Sequence, residues 1–304
     1  MRVNPGCHPV LFAAASLAAA AVASDLIRAR GVAGQDPQIT ALVTVVSESG
    51  EPITDLTAAD FTVRENKITH VVGRVRPVHD LPVFVAILVD VSKPLMGTQA
   101  PVTDMRGSLS AFVSAMRAAN PAVQFSLTQV AGAAVPAVAF GAKPEDLDAA
   151  IARLYPGQQA DAVMLEGLAE AARSLQDKPG LRKAIVAVDF ASSEPSREST
   201  MRASIEELQK AEATLWTVSI RGAGATAAAR REMAFKAGVE VSGGVRQTAV
   251  AASGLTSMLT AVAGSLSSQY LVTFSRPGSA SINFDSIAVS TARGNKALVA
   301  LLMR

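Results

Sequence analysis

A carboxylate and a hydroxyl stand two positions apart at the end of a strongly apolar run. The run Val83–Val89 leads directly into Asp90, and Ser92 follows. An apolar run without alternation is typical of a strand that is buried on both faces, as in a parallel sheet covered by helices. Ligands of such sheets bind beyond the carboxyl ends of the strands. Because hard divalent cations prefer oxygen ligands, Asp90 and Ser92 indicate a metal-assisted binding site.

Strands and helices must alternate around this run if a parallel sheet is to position it. From Leu81 onward the sequence shows that alternation, since Met105–Ala118 has helical apolar spacing and Val123–Val130 is strand-like. The pattern predicts an α/β domain with a doubly wound parallel sheet. Further predicted strands are Ala184–Val188, Thr214–Ile220 and the hairpin partner Ala134–Phe140, and further predicted helices are Glu145–Leu154, Val163–Leu175, Thr226–Lys236 and Leu255–Leu266.

Two β-rich segments flank the predicted α/β domain. Because the last of these strands follow the last helix and look antiparallel, we expect them to pair with the N-terminal ones. The α/β domain is then an insertion between two halves of one β layer. The predicted strands begin at Ile39, Phe61 and Ile68 on the N-terminal side, and on the C-terminal side they are Gln269–Phe274, Ile282–Val289 and Ala297–Leu302.

The first residues have the form of a secretory signal. Arg2 supplies a positive start, Val10–Val22 is apolar, and Ala21–Ala23 has small residues at the cleavage positions, which makes Ser24 the expected mature N-terminus. An apolar run of about 13 residues is too short to span a bilayer, which needs ~20, although an uncleaved N-terminal anchor is the alternative. The mature chain is expected to lack a membrane span and, because Cys7 is the only cysteine, to lack thiol chemistry.

Composition and motifs argue against nucleic-acid binding and against catalysis. The net charge is +2 and the basic residues are scattered, so no nucleic-acid footprint is expected. After signal removal His70 and His79 remain, and they are not spaced as a ligand pair. The glycine-containing segment Arg221–Thr226 lacks the ending of a phosphate-binding loop, which favours a plain turn between a strand and a helix.

Four patches in the same order along the chain carry a resemblance to a known family. They are Gly50–Glu65 with its leucine and aspartate-phenylalanine pattern, Val83–Gly97, the glycine pair within Ala237–Val245, and Leu266–Phe274. Together they resemble bacterial secreted proteins with a von Willebrand factor A-related domain. The resemblance implies a doubly wound, Rossmann-like von Willebrand A domain, flanked by N- and C-terminal β segments that form an accessory β layer.

The resemblance also implies a metal-ion-dependent adhesion site, of which this sequence keeps a part. In the family, an Asp-x-Ser-x-Ser loop, a threonine and a further aspartate surround a magnesium ion that keeps an open position for a ligand carboxylate. Asp90 and Ser92 match the first two positions of the loop. The third position is Pro94, which has no side-chain oxygen. The first loop is therefore degenerate.

The second and third loops depart from the family pattern as well. The threonine position falls on Ala162, and Asp161 stands next to it. Asp189 is the candidate for the third loop, but Phe190 follows it where the family has glycine. The resemblance thus implies a site that lacks two of its hydroxyl groups.

Two readings of this degenerate site stay open. In one, Asp90, Ser92, Asp161 and Asp189 provide three carboxylates and a hydroxyl that hold Mg²⁺ or Mn²⁺. The ion would then bridge the chain to an acidic group of a protein partner. In the other, no cofactor is bound: Asp90 caps the turn that follows it, Asp161 caps a helix beginning at Ala162, and Asp189 lies in a solvated loop.

The combined prediction is an exported, non-catalytic protein-binding module of the cell-adhesion type, with a degenerate metal site. The alternative is a structural or assembly module that binds partners without metal. Export would place the chain in the periplasm, at the cell surface or outside the cell. The expected division is a signal peptide at 1–23, a linker at 24–37, an N-terminal β module at 38–80, the A-like domain at 81–268, and C-terminal strands at 269–304.

Overall fold

The structure is a computed structural model. It describes residues 37–47, 51–65, 68–92, 100–159, 161–190, 192–221, 228–276, 287–292 and 296–303. The predicted signal peptide, almost all of the predicted linker, and Pro94 lie outside the described residues.

Helices and strands alternate from Val83 to Ser267, and further strands precede and follow this part of the chain. The strands are β1 (Gln38–Val46), β2 (Phe61–Glu65), β3 (Ile68–His70), β4 (Val72–Pro77), β5 (Val83–Asp90), β6 (Gln124–Val130), β7 (Ala134–Val138), β8 (Arg182–Asp189), β9 (Thr214–Ile220), β10 (Arg246–Ala249), β11 (Tyr270–Ser275), β12 (Ile287–Thr291) and β13 (Lys296–Met303). The helices are α1 (Ala100–Ala119), α2 (Pro144–Ala152), α3 (Met164–Gln176), α4 (Glu198–Ala211), α5 (Ala229–Ser242) and α6 (Leu255–Ser267).

Within the described residues, the central sheet has six strands in the order β10-β9-β8-β5-β6-β7. Its strands pair in parallel except for β7, which is antiparallel to β6 as the predicted hairpin requires. The strand order runs outward from β5 in both directions, as in doubly wound sheets. The predicted α/β fold class is confirmed.

The central strand β5 is buried on both faces, which explains its unbroken apolar sequence. Successive side chains of a strand point to opposite faces. Val83, Val85 and Ile87 therefore pack with α1, α2 and α6, whereas Phe84 and Ala86 pack with α3, α4 and α5. Every residue of β5 and of its neighbour β8 is buried. The carboxyl ends of these two strands are held in place by cores on both sides.

The flanking strands form an accessory layer of two sheets around a separate apolar core. Among the described residues, one sheet has the order β13-β1-β11-β4 and the other β12-β2-β3. β1 pairs antiparallel with both β11 and β13, so strands from the two ends of the chain lie side by side. Phe61, Tyr270 and Phe274 belong to the shared core. The predicted accessory β layer is confirmed.

The segment that begins at Ile68 is divided between the two sheets. His70 pairs with Val63 in the three-stranded sheet, whereas Val72 pairs with Phe274 in the four-stranded sheet. Val71 lies between them and is exposed. The alternation of apolar and polar residues does not show that the chain passes from one sheet to the other here. That passage is determined by strand partners that are distant in sequence.

A buried arginine joins the central sheet to the accessory layer. Arg182, the first residue of β8, is 2% exposed, and its Nη1 donates to the carbonyl oxygens of Val78 (2.9 Å) and Leu81 (2.7 Å). Its Nη2 donates to the carbonyl of Leu266, and its Nε lies 3.4 Å from Oε1 of Gln269. The segments that enter and leave the α/β region are thus held by one side chain.

The two accessory sheets are linked by an ion pair that gives the first testable prediction. Arg276 donates to both carboxylate oxygens of Glu65, at 2.6 and 2.7 Å. The Arg276 hydrogen bonds outweigh burial and lower the pKa of Glu65 below its ordinary value. We expect Glu65→Gln to lower the free energy of unfolding at pH 7 by about 1–3 kcal/mol, as for hydrogen bonds to charged groups.

The pH dependence of this loss follows from the direction of the pKa shift. A carboxylate whose pKa is lowered by folding stabilises the fold above its unfolded pKa, and the effect disappears as the pH falls through the folded pKa. Urea unfolding at pH 7 and at pH 3 should therefore show a gap between wild type and Glu65→Gln that narrows in acid. Glu198→Gln, which removes the exposed pair with Arg202, should change the free energy of unfolding by less than about 1 kcal/mol. A gap that is the same at both pH values would contradict the argument.

Candidate functional site

The ends of β5 and β8 bring two of the predicted site residues to the same edge of the sheet. β5 and β8 pair in parallel, with Val89 opposite Val188, so Asp90 and Asp189 are neighbours at the carboxyl edge. Both aspartates are 0% exposed. Asp189 therefore lies in a buried environment, in contrast to the solvated loop of the alternative reading.

Asp90 holds the turn that follows it. Its Oδ1 accepts hydrogen bonds from the backbone N–H of Ser92 (2.9 Å) and from the Ser92 hydroxyl (2.5 Å). Its Oδ2 accepts a hydrogen bond from the hydroxyl of Ser192, at 2.6 Å. Burial and the nearby charge of Asp189 raise the pKa of Asp90, and the two serine hydroxyls and Arg231 only partly oppose this. Asp90 thus makes the turn-capping contacts of the alternative reading.

A buried arginine from α5 lies against both aspartates. Nη1 of Arg231 donates to Oδ1 of Asp189 and lies 3.6 Å from Oδ2 of Asp90. Nε donates to Oε2 of Glu194 at 3.1 Å. The side chain is 0% exposed. An arginine cation, which no feature of the sequence had indicated as a site residue, is therefore surrounded by three carboxylates.

The remaining nitrogen of this guanidinium binds the neighbouring loops. Nη2 of Arg231 donates to the carbonyl oxygens of Ala162 (3.0 Å) and Ser193 (3.1 Å) and lies 3.2 Å from the Ser192 hydroxyl. Burial lowers the pKa of Arg231, but the charges of Asp189, Asp90 and Glu194 outweigh it and raise the pKa above its ordinary value. Arg231 is accordingly a permanent positive charge at this edge.

Glu194 connects the arginine to the start of α3. Its Oε2, which accepts from Arg231, also accepts from the backbone N–H of Met164 at 3.0 Å. Its Oε1 accepts from the Ser196 hydroxyl at 2.6 Å. A carboxylate at a helix N-terminus satisfies an N–H group that has no partner within the helix and interacts favourably with the helix dipole. Glu194 therefore makes the contact at α3 that the alternative reading assigned to Asp161.

Asp161 lies apart from the other predicted site residues. It is exposed, and it accepts a hydrogen bond from the Ser193 hydroxyl. α3 begins at Met164 with Val163 as its N-cap, two residues beyond Asp161. Ala162, at the family's threonine position, contributes its carbonyl oxygen to Arg231. The structure thus brings Asp90, Ser92 and Asp189 together and leaves Asp161 at the surface.

The described side chains, as they are arranged, do not fit a divalent cation. A metal at this edge would need free oxygen lone pairs and an open coordination position. The oxygens of Asp90 instead face two hydroxyls and a guanidinium, and Asp189 faces Arg231 together with the Ser219 hydroxyl at 3.3 Å. Among the described residues, no group of three or more His, Cys, Asp or Glu side chains is placed to hold a metal ion.

The strand order and the two aspartates at the carboxyl ends of β5 and β8 define a Rossmann-like α/β domain. The aspartates lie where the strand order reverses, which is where such sheets bind ligands. The sequence profile of the von Willebrand factor type A domain matches residues 85–250, which is more than half of the chain. The chain therefore belongs to this family, and the resemblance found in the sequence is confirmed. Comparison with curated protein sequences finds no match.

Solved structures with the same fold include bacterial and animal proteins. A von Willebrand factor type A protein from Catenulispora acidiphila has 8% identity and a TM-score of 0.52, over 90% of this chain and 74% of that one. Proximal thread matrix protein 1 from the mussel byssus, with a zinc-occupied MIDAS motif, has 14% identity and a TM-score of 0.53, over 66% and 50%. The PilB minor pilin from Streptococcus sanguinis has 11% identity and a TM-score of 0.50, over 62% of each chain.

These likenesses show a shared fold. This chain spans about half the length of the mussel protein and 62% of the pilin. In the part of the chain that is described, no helix combines the length and the apolarity of a membrane span.

Proposed function

We propose that this chain is an exported, non-catalytic protein-binding module of the adhesion type that engages its partner without a bridging metal ion. Family membership supports a role in protein interaction, as do structural neighbours that are a minor pilin and a byssus matrix protein. In this proposal the signal at 1–23 directs export and the linker at 24–37 leads into the folded part. The accessory strands at 38–80 and 269–304 then support the A domain at 81–268.

One observation carries the metal-free part of the proposal. Asp90 and Asp189 are completely buried, and both lie against the guanidinium of Arg231. A metal bridge requires an ion with an open position that an acidic group of the partner can reach. Since the carboxylates that would hold this ion already have internal partners, the proposed binding depends on the surface shape and polarity of the loops around the edge.

Metal independence is tested on the purified chain by thermal unfolding. We expect the same Tm in 5 mM MgCl₂, in MnCl₂ and in chelator. Asp90→Ala should be less stable by the same amount in all three, because it loses the turn contacts to Ser92 and Ser192. A specific ion at about 100 times its Kd would raise Tm by roughly 5–10 °C. Such a rise in wild type that is absent from Asp90→Ala would instead support the metal-bridged reading.

Protein binding is tested by cross-linking in the native host. Tyr155 is 70% exposed and stands two residues before Gly157, whose N–H donates to the carbonyl of Val91 beside the site. A photo-crosslinking residue at position 155 should capture a reproducible protein partner from the exported fraction, with or without chelator. The same residue at Arg173, which is exposed on α3, is the positional control. Retention of the chain in the cytoplasm, or a chelator-sensitive cross-link, would contradict the proposal.

A further inference from the structure

Three carboxylates and one guanidinium share the buried edge of the central sheet. Asp90, Asp189 and Glu194 are 0%, 0% and 5% exposed, and the Arg231 side chain that lies against them is 0% exposed. Buried carboxylates need a counter-charge, because an unpaired buried ion is strongly destabilising. Among the described residues, Arg231 lies within 4 Å of all three carboxylates, whereas the partly exposed Arg221 lies 4.0 Å from Oδ2 of Asp189.

We infer that the guanidinium of Arg231 is a built-in replacement for the divalent cation of this edge, and that the edge becomes a divalent-cation site when this side chain is removed. The inference goes beyond the proposed function, because it concerns what holds the fold together and does not depend on partner binding.

The contacts of Arg231 reach the loops that a metal ion would join. One nitrogen reaches the ends of β5 and β8 through Asp90 and Asp189. Another binds the segment before α3 through the carbonyl of Ala162, and Nε binds the loop after β8 through Glu194. A guanidinium presents five N–H donors in a fixed plane, so it can join several oxygen groups at once. Unlike an ion, it is covalently tethered and has no dissociation equilibrium.

The surroundings of Arg231 would suit a hard cation once the side chain is gone. Its removal leaves oxygen atoms from Asp90, Asp189 and Glu194, the carbonyls of Ala162 and Ser193, and the Ser192 hydroxyl within reach of one vacated volume. Carboxylate, carbonyl and hydroxyl oxygens are the ligands that Mg²⁺, Mn²⁺ and Ca²⁺ prefer. The probes of the test are therefore these ions alone.

A second buried arginine provides the matched control. Arg182 is 2% exposed, but its described hydrogen bonds go to three backbone carbonyls and to the amide oxygen of Gln269. Its removal leaves a cavity of similar size without a cluster of carboxylates. A general effect of divalent ions on a weakened fold would appear in both variants, whereas a site effect would appear only in the Arg231 variant.

The experiment is thermal unfolding of the full chain and of Arg231→Ala and Arg182→Ala, each in chelator and in 5 mM Mg²⁺, Mn²⁺ or Ca²⁺. Wild type should not respond to the ions. In chelator, Arg231→Ala should lose roughly 10 °C in Tm, as expected for breaking a buried ion pair. At least one ion should restore about 5 °C or more of this loss, and no ion should restore Arg182→Ala.

The opposite results would overturn the inference. They are an Arg231→Ala variant as stable as wild type, a loss that no ion restores, or an equal response of Arg182→Ala. If Arg231→Ala does not fold in chelator, refolding from urea with Mn²⁺ replaces the melt, and recovery with Mn²⁺ alone supports the inference. If neither condition gives folded protein, the inference is overturned, because the ion does not then replace the guanidinium.

Discussion

Gly244→Ala is expected to prevent the chain from reaching its folded state. A Cβ atom at position 244 would lie 1.9 Å from the carbonyl oxygen and 2.6 Å from the carbonyl carbon of Leu215. Leu215 is a buried residue of β9, so the atoms in the way belong to the backbone of a central-sheet strand. Relief would require β9 or the end of α5 to move within a close-packed core. We expect a loss above about 4–5 kcal/mol, which places this glycine among the most sensitive positions.

The measurement is the yield of soluble chain together with its urea unfolding, followed by the fluorescence of the chain's single tryptophan, Trp216, which is 0% exposed. The matched control is the same substitution at Gly107. This glycine is exposed within α1, and a Cβ there would meet nothing within 4 Å. Gly107→Ala should raise the free energy of unfolding by about 0.5–1 kcal/mol, because alanine stabilises a helix interior relative to glycine. A folded Gly244→Ala chain with wild-type stability would contradict the steric argument.

Gly243, the other member of this glycine pair, must be a glycine for a different reason. It is the C-cap of α5 with φ of 73°, in the left-handed region. A side chain there strains the backbone by about 1–2 kcal/mol. Of the two glycines that carry part of the family resemblance, Gly243 is required for its backbone conformation and Gly244 for the lack of space beside Leu215.

Arg182→Met is expected to weaken the junction between the central sheet and the accessory layer. The arginine donates to the carbonyls of Val78, Leu81 and Leu266, and methionine would leave these buried groups without that donor. Burial lowers the pKa of Arg182 to about 10, so the side chain is still charged at pH 7. The carbonyls of Val78 and Leu81 keep the N–H of Leu81 and the side-chain amide of Asn120 as donors, so what is lost is the set of hydrogen bonds from a charged donor. Since a hydrogen bond to a charged group contributes about 1.5–3 kcal/mol, we expect a loss of about 3 kcal/mol or more, which corresponds to roughly 6–12 °C in Tm.

Thermal unfolding at neutral pH measures this effect, with Arg117→Met as the control. Arg117 donates to both oxygens of Asp148 at 2.9 and 3.0 Å, but the pair is partly exposed and should contribute about 0–1 kcal/mol. Equal stability of the two variants would show that the bonds of Arg182 do not hold the junction.

Strand ends could be located from the sequence, and this was enough to place two of the site residues. Parallel strands end at one edge of a sheet, so the unbroken apolar runs before Asp90 and Asp189 sufficed to bring the two aspartates together. The glycine pair and the closing strand then supported one family. These are local patterns, which can be recognised in the sequence without knowledge of the packing.

Arg231 could not be identified in the same way. Three basic residues within one helix, Arg230, Arg231 and Lys236, are typical of a solvated face, yet Arg231 is buried. Glu194 is also buried, although nothing in the sequence around it distinguishes it from a solvated glutamate. The two side chains are hydrogen-bonded to each other across 37 positions of sequence, which no local pattern reveals. The two aspartates predicted at the buried strand ends need a positive charge nearby, and this need would have been a reason to look for a buried arginine.

The antiparallel pairing of β1 with β13 determines how the chain would respond to mechanical load. Thr40 pairs with Met303, so the start of β1 and the end of β13 lie at the same end of one sheet. Tension between these two points separates the strands one hydrogen bond after another, starting from that end. The entry strand β4 and the exit strand β11 of the α/β insertion are paired with each other. The accessory layer therefore yields first under tension, and the insertion with its arginine-centred edge is loaded only after β4 and β11 have separated.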